Sequence, residues 1–523
     1  MPSFPDQAQV QRACRHTWDA LGMPVHSSLS QEEAGVFLKY LLLEGLESGA
    51  VRYWRARRQT DATALLRRRL EGLLAAIQQA ARPGGELALV AEIKWDVLSQ
   101  SLTSSPYYRQ RLIDIAREAV LSERLAPEQC LRQRPATRQE LSAALSGTWN
   151  HAVIFASPIF FVHEFYPLAV DAYVHDCERH GKARTNVLGA SMDWLTDNGQ
   201  LERVLYADFA RGRLVETDVA SPVRPDSTQF ICLGSQEQER HRALAERIPC
   251  TAVNPPAPSS LADDKAATLA GWSALDLEVP AYREITQGDS ATALAFLERF
   301  AEIVVKPGRG TEGENVTFFQ RGQARVEAEL QRHLERCWEK GPAIAQQRRD
   351  GIFFRDPVSG RHHSLALRFN LALDRMGHYR LESGYAQLGR DEHSPAACGR
   401  GGRIVPMDEA LSGLTCGPAS ASQPIRLASK DWSTIRQQAE RAAGLFRGLM
   451  LMGLDVLLDR DEHGNLLPVF LEANPRPAGL SHSRLLNDDP WAPARVGVSL
   501  NLWGYLERTR SAQPVGDPER IHS

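Results

Sequence analysis

The sequence predicts a mixed α/β protein of several domains: a helical N-terminal region, a small parallel α/β unit, and a larger α+β region built on antiparallel strands. Three observations predict this. Residues 1–148 repeat apolar side chains at helical intervals. Between Asn150 and Val253, short apolar strands alternate with helices, the pattern of a parallel sheet. From Leu261 onward, turns at Gly360 and across Glu462-His463-Gly464-Asn465 separate strand-like runs in the manner of hairpins.

In the first region, Ser30 and Glu33 have capping-box spacing ahead of Val36, Phe37 and Tyr40, and Leu66, Leu70, Leu73 and Ile77 share a helical face. Pro83-Gly84-Gly85 interrupts the helical pattern, and Thr137 with Glu140 repeats the capping box before Leu141. The second region, 149–258, opens on Ala152-Val153-Ile154-Phe155-Ala156. Further strands are expected at 186–188, 230–233 and 251–253, with a helix over 236–247. Asn254 to Ser260, rich in proline, reads as a linker. The third region runs from 259 to 510, and 511–523 is a polar, frayed tail.

Composition narrows the function. Lys plus Arg is 61 and Asp plus Glu is 64, a net charge of −3, which gives no general reason to expect nucleic acid or a membrane as partner. The apolar run from Ala152 to Val162 is too short to span a bilayer, and no signal peptide is visible. Eight cysteines without a Cys-x-x-Cys pair suggest neither a zinc module nor a disulfide framework, so a cytoplasmic protein is expected.

Chemistry concentrates in two places. In Ile303-Val304-Val305-Lys306, an apolar strand ends on a lysine, and Gly308, Gly310 and Gly313 follow, with Thr311 among them. A glycine-rich strand-loop-strand lets backbone N–H groups approach phosphate oxygens, and Lys306 at its base brings a cation beside them. The run is neither a Walker A loop nor a Rossmann fingerprint, and an ordinary glycine-rich hairpin is the structural alternative. Lys306 is then expected to be solvated and to matter little for stability.

The second place pairs Gly453-Leu454-Asp455 with Val469-Phe470-Leu471-Glu472-Ala473-Asn474-Pro475-Arg476. Strand alternation puts Phe470, Glu472 and Asn474 on one face and Val469 and Leu471 on the other, in the core. A hairpin across 460–467 would bring Asp455 beside Glu472. Two carboxylates and an amide oxygen are hard ligands suited to Mg²⁺ shared with phosphates; a solvated polar strand face is the alternative. Without metal the two carboxylates repel, so Glu472→Gln is expected to keep or raise stability. Asp263-Asp264-Lys265 opens a helix, where acids are ordinary dipole partners. Arg368 is a lone cation in an apolar strand, for which a buried ion pair is the structural explanation, and Arg400 and Arg403 lie among glycines, in an anion-binding loop or simply a flexible one.

Taken in order, Asp264-Lys265, Val305-Lys306-Pro307 with its glycine loop, Asp455, and Glu472 through Arg476 resemble the ATP-grasp superfamily of carboxylate–amine or carboxylate–thiol ligases, over roughly residues 259 to 500. The resemblance implies ATP and Mg²⁺, with Mn²⁺ as an alternative ion. It implies that Lys265 and Lys306 contact phosphates and that a lid over about 300–345 closes its 308–313 loop on them. Gln346 and Gln347 would face adenine and ribose, although the superfamily often offers a glutamate there. Asp455, Glu472 and Asn474 would hold the metal, and Arg476 would steady the intermediate. The expected reaction converts a carboxylate to an acyl phosphate that an amine attacks, giving an amide, ADP and phosphate, with Arg368, Arg400 and Arg403 as candidates to hold the substrate carboxylate. The partners are then small-molecule carboxylate and amine substrates, with a homodimer as an assembly option. A phosphotransferase and a non-catalytic ATP-binding scaffold are the rival readings.

Overall fold

The computed structural model describes residues 137–512 apart from 146, 156–161, 209–212, 232–236, 249, 311–315, 350, 358, 397–402, 418–421, 462 and 478–499. The helical readings at Ser30–Tyr40 and Leu66–Ile77 lie outside the described residues, as do Thr311, Gly313 and Arg400. The described part is mixed α/β, with three sheets in chain order.

Helix α1 (Arg138–Ala144) begins on the predicted capping box. Glu140 N–H donates to Thr137 Oγ1 at 3.2 Å, and Thr137 N–H donates to Glu140 Oε2 at 2.9 Å. The first sheet contains β1 (Trp149–Phe155), β2 (Thr185–Ser191), β3 (Leu201–Asp208), β4 (Arg213–Val223), β5 (Ser227–Ile231) and β6 (Thr251–Ala252), in the order β4-β3-β2-β1-β5-β6. β2, β1, β5 and β6 run parallel. The antiparallel edge strands β3 and β4 were not anticipated, because their charged residues interrupt the apolar pattern. Helices α2 (Val162–His180) and α3 (Glu237–Arg247) follow β1 and β5.

The predicted linker is a helix instead. α4 (Pro256–Asp263) starts just after Pro255, because proline's fixed φ and missing N–H suit a first helical turn. Asn254 before it is buried, and its side chain accepts from Phe230 N–H at 3.0 Å and donates back to the Phe230 carbonyl. The chain therefore reaches α5 (Lys265–Ala274) by a packed route.

The second sheet is β7 (Tyr282–Ile285), β8 (Glu302–Pro307), β9 (Thr317–Gln320) and β10 (Ala343–Gln347), ordered β7-β10-β8-β9 and all antiparallel. One face, with Ile303, Val305, Ala343 and Ala345, packs on α6 (Ser290–Phe300) and α7 (Val326–Trp338). Alternation turns Lys306 and Gln346 to the opposite face.

The third sheet, also antiparallel, comprises β11 (Ile352–Arg355), β12 (His362–Leu373), β13 (Tyr379–Leu388), β14 (Arg403–Pro406), β15 (Leu414–Cys416), β16 (Gln423–Pro424), β17 (Leu451–Arg460) and β18 (Leu466–Asn474). Helices α8 (Met407–Ser412) and α9 (Ser429–Ala443) are inserted in it. Its apolar face, with Leu367, Phe369, Leu454, Val456, Phe470 and Ala473, shares a core with Trp272 of α5 and Ile435 of α9. The other face is polar around β12, β17 and β18. C-terminal helix α10 (Leu500–Ala512) brings Leu502, Trp503 and Leu506 between Val153 and Phe155 of the first sheet and Ala372 and Leu451 of the third.

The predicted hairpin forms, with Asp455 opposite Glu472, but Val456 pairs with Phe470, so Leu471 has no opposite residue. This bulge corrects the alternation read from sequence. Phe470 and Ala473 both enter the core, while Glu472 and Asn474 point to the polar face. Leu471, expected in the core, is only half-buried.

Candidate active site

Lys306 sits near the end of β8, opposite Ile344. It is 6% exposed, with Nζ 3.5 Å from Glu472 Oε2. The expectation of a solvated hairpin lysine is therefore corrected: the β8 face that carries it is turned toward the third sheet. Lys265 is the first residue of α5, and its neighbour Asp264 caps that helix, accepting from Ala267 N–H at 3.0 Å. Lys265 Nζ lies 3.9 Å from the same Glu472 oxygen and donates to the Gly310 carbonyl at 2.8 Å.

The described start of the glycine loop is held on both sides. Gly308 N–H donates to the Pro342 carbonyl at 2.8 Å, and the Gly308 carbonyl accepts from Lys265 N–H at 3.1 Å. A Cβ at Gly308 would come within 2.8 Å of the Pro342 oxygen, so only glycine fits this approach.

Across the polar face of the third sheet, Tyr385, Arg368, Asp455 and Glu472 are successive register partners on β13, β12, β17 and β18. Arg368 grips Asp455 with two donors, Nη2 to Oδ2 at 2.9 Å and Nε to Oδ1. The adjacent row is Ser383, Asn370, Gly453 and Asn474. Asn474 Nδ2 donates to Asp455 Oδ2 at 3.4 Å. Gly453 leaves room for the arginine, since a Cβ there would be 3.1 Å from Arg368 Cδ. Arg403 begins β14, outside these rows, and pairs with Leu388.

Arg476, two residues past Asn474, is buried and forms an ion pair with the equally buried Asp263 at the end of α4. His241 of α3 lies close enough to feel the Arg476 charge. Burial, and then that charge, push its imidazole down to about 3.

Electrostatics separate the two carboxylates. Burial by itself would raise Glu472, but Lys306 and then Lys265 overcome it and hold the carboxyl at about 2. Asp455 is raised, by burial first and with the Glu472 charge adding, against the pull of Arg368. The more easily protonated member of the pair is thus Asp455. Burial lowers Lys265, opposed by Glu472. Four cations, Lys265, Lys306, Arg368 and Arg476, face three carboxylates, Asp263, Asp455 and Glu472, and that excess of positive charge suits an anionic ligand.

The residues fit a nucleotide with a divalent metal on two counts. Gln346, on the Lys306 face of the second sheet and 3% exposed, has a buried Nε2 with no hydrogen-bond partner, a donor left for a ligand. Gln347 is held through its backbone, which donates to the Ala281 carbonyl at 2.7 Å. Among the described residues no three His, Cys, Asp or Glu side chains group to hold a metal by themselves. Asp455, Glu472 and the Asn474 amide instead offer a partial oxygen set that phosphate oxygens would complete.

Sequence reading missed Tyr385 and His241, which carry no motif, and treated Asp263 as a helix-dipole acid. That account suits Asp264, whereas Asp263 is committed to Arg476. Arg368, offered to a substrate carboxylate, is occupied by Asp455.

No protein-family model matches the chain, and no curated protein matches it. Solved structures similar to it include D-alanyl-alanine synthetase A from Vibrio cholerae O1 biovar eltor, at 13% identity over 70% of this chain and 100% of that one, with a TM-score of 0.43. D-alanine–D-alanine ligase from Bacillus anthracis complexed with ATP has 12% identity over 70% and 98%, with a TM-score of 0.40. The ATP-grasp ligase PsnB complexed with minimal precursor has 14% identity over 68% and 98%, with a TM-score of 0.37.

Proposed function

We propose that this chain is an ATP-dependent ligase of the ATP-grasp type, joining a small carboxylate to an amine through an acyl phosphate and releasing ADP and phosphate. One observation carries the reading. Two lysines from separate elements, Lys265 on α5 and Lys306 on β8, converge on the single Glu472 carboxylate of β18, beside the Arg368–Asp455 pair.

On this reading, residues 149–258 form the preceding α/β domain and 259–510 the ATP-grasp domain. The lysines bind the phosphates, and Gly308 and Gly310 begin a loop that would exclude water from them. Gln346 and Gln347 meet the base and ribose. Asp455, Glu472 and Asn474 would hold Mg²⁺, which when bound offsets charge on the transferring phosphoryl oxygens. Arg368 then serves to orient Asp455, and Arg476, held by Asp263, would offset charge that develops on the acyl phosphate. The carboxylate oxygen attacks the γ-phosphorus, ADP leaves, and the amine then displaces phosphate, losing a proton.

The test is a screen of amino acids and small acids, singly and in pairs, with Mg·ATP, following ADP and phosphate and identifying the product by mass. An amide formed with one ADP and one phosphate supports the ligase. A phosphorylated product with no amine requirement assigns a phosphotransferase instead.

A further inference from the structure

The unit carrying the second sheet, residues 282–347, connects to the rest of the chain through two crossings, 275–281 and 348–351. Arg349 fastens both to the third sheet. Its Nε donates to Asp459 Oδ2 at 2.8 Å, its Nη2 lies 2.6 Å from the same oxygen, and its Nη1 donates to Glu278 Oε1 at 2.8 Å. Asp459 is on β17, the strand that carries Asp455, and Glu278 lies in the first crossing, where its carbonyl accepts from Phe470 N–H of β18 at 2.9 Å. Gly351 allows the closeness, since a Cβ there would be 2.4 Å from Asp459 Oδ1. The neighbouring Arg348 bridges as well, donating to Glu302 Oε2 of β8 at 3.1 Å and to the Glu392 carbonyl beyond β13 at 2.7 Å, and stacking over Phe318 of β9 at 4.6 Å.

We infer that Arg349 is a positioning residue for the phosphate site: it holds both crossings against β17, so that Lys306 on the second sheet reaches Glu472 on the third. A planar guanidinium spans two carboxylates from different elements with directed donors, better than the single nitrogen of an ammonium does. The lysine–glutamate contact is made across the gap between two sheets, so a small rotation at the crossings moves Lys306 relative to Glu472. In the clasp, the half-exposed Glu278 arm adds little to global stability, while the Asp459 arm, 19% exposed on both sides, contributes modestly. The effect of the clasp falls on relative placement. The inference rests on the nucleotide reading of the site.

The test uses the full chain with Mg·ATP, measuring binding by titration calorimetry and backbone opening by hydrogen exchange without nucleotide. Arg349→Ala should speed exchange selectively at 275–281 and 348–351 and weaken Mg·ATP roughly tenfold, within the usual range for coupled sites, with at most a modest fall in melting temperature. Arg349→Lys should recover part of the affinity. Adding Asp459→Asn to Arg349→Ala should cost no further affinity, because the two act through one contact. Unchanged affinity in Arg349→Ala, or faster exchange spread over the whole chain with a large fall in melting temperature, overturns the inference. If the parent does not bind Mg·ATP, the site reading fails, and exchange at the two crossings judges the clasp by itself.

Discussion

Lys306 Nζ stands 3.5 Å from Glu472 Oε2 although 166 positions separate them, and Lys265 Nζ approaches the same oxygen at 3.9 Å. Two ammonium groups thus share one carboxylate. Like charges gather this way where an anion is to be received, and phosphate oxygens would take over part of the role of Glu472.

Lys306→Ala should weaken Mg·ATP binding at least tenfold and abolish nucleotide-dependent turnover. Because the side chain is buried and paired, stability should also fall, by about 1–3 kcal/mol, with Lys265 left to compensate Glu472 in part. Calorimetric titration and urea denaturation measure the two effects. Normal binding would remove Lys306 from the phosphate site.

Glu472→Gln should lower stability at neutral pH, by on the order of 2 kcal/mol, reversing the expectation drawn from carboxylate repulsion. The change leaves two buried lysines without their shared counter-charge. The Glu472 carboxyl is held at about 2, below its ordinary 4.5. A depressed carboxylate stabilises the fold above 4.5, and that stability drains away as pH falls from 4.5 through 2. The parent should therefore lose more stability than the variant over this window. Identical acid limbs in denaturation curves would mean that Glu472 is not held by the lysines. Mg·ATP should raise the parent's melting temperature and not the variant's.

Gly453→Ala should impair nucleotide-dependent turnover more than stability. The added methyl meets Arg368 Cδ at 3.1 Å and Pro477 Cβ at 3.4 Å, so the guanidinium must shift and carry Asp455 with it. A variant that turns over like the parent would show that the Arg368–Asp455 geometry has slack.

The products of ATP should be ADP and phosphate, and chelating divalent metal should abolish their formation. Labelled nucleotide decides the first point. Stoichiometric pyrophosphate would indicate an adenylate intermediate and a different use of the site.

Local chemistry was legible without coordinates wherever neighbours in sequence determine it. The Thr137–Glu140 capping box, the apolar strand β1 and the turn joining β17 to β18 are set by side chains within a few positions of one another. Bringing Asp455 near Glu472 required only that this hairpin close, while placing the two directly opposite required the shift of register at Leu471. Tertiary structure decided what depends on contacts between distant segments. The bulge at Leu471, which separates Phe470 from Glu472, arises from the fit of β18 to β17 and leaves no mark on a period-two pattern. The burial of Lys306 follows from one sheet facing another, and the commitment of Arg368 to Asp455 from strands 87 positions apart lying in register. Charge sign and strand spacing can be read along a chain. Which carboxylate meets which cation depends on distances that only the packed sheets define.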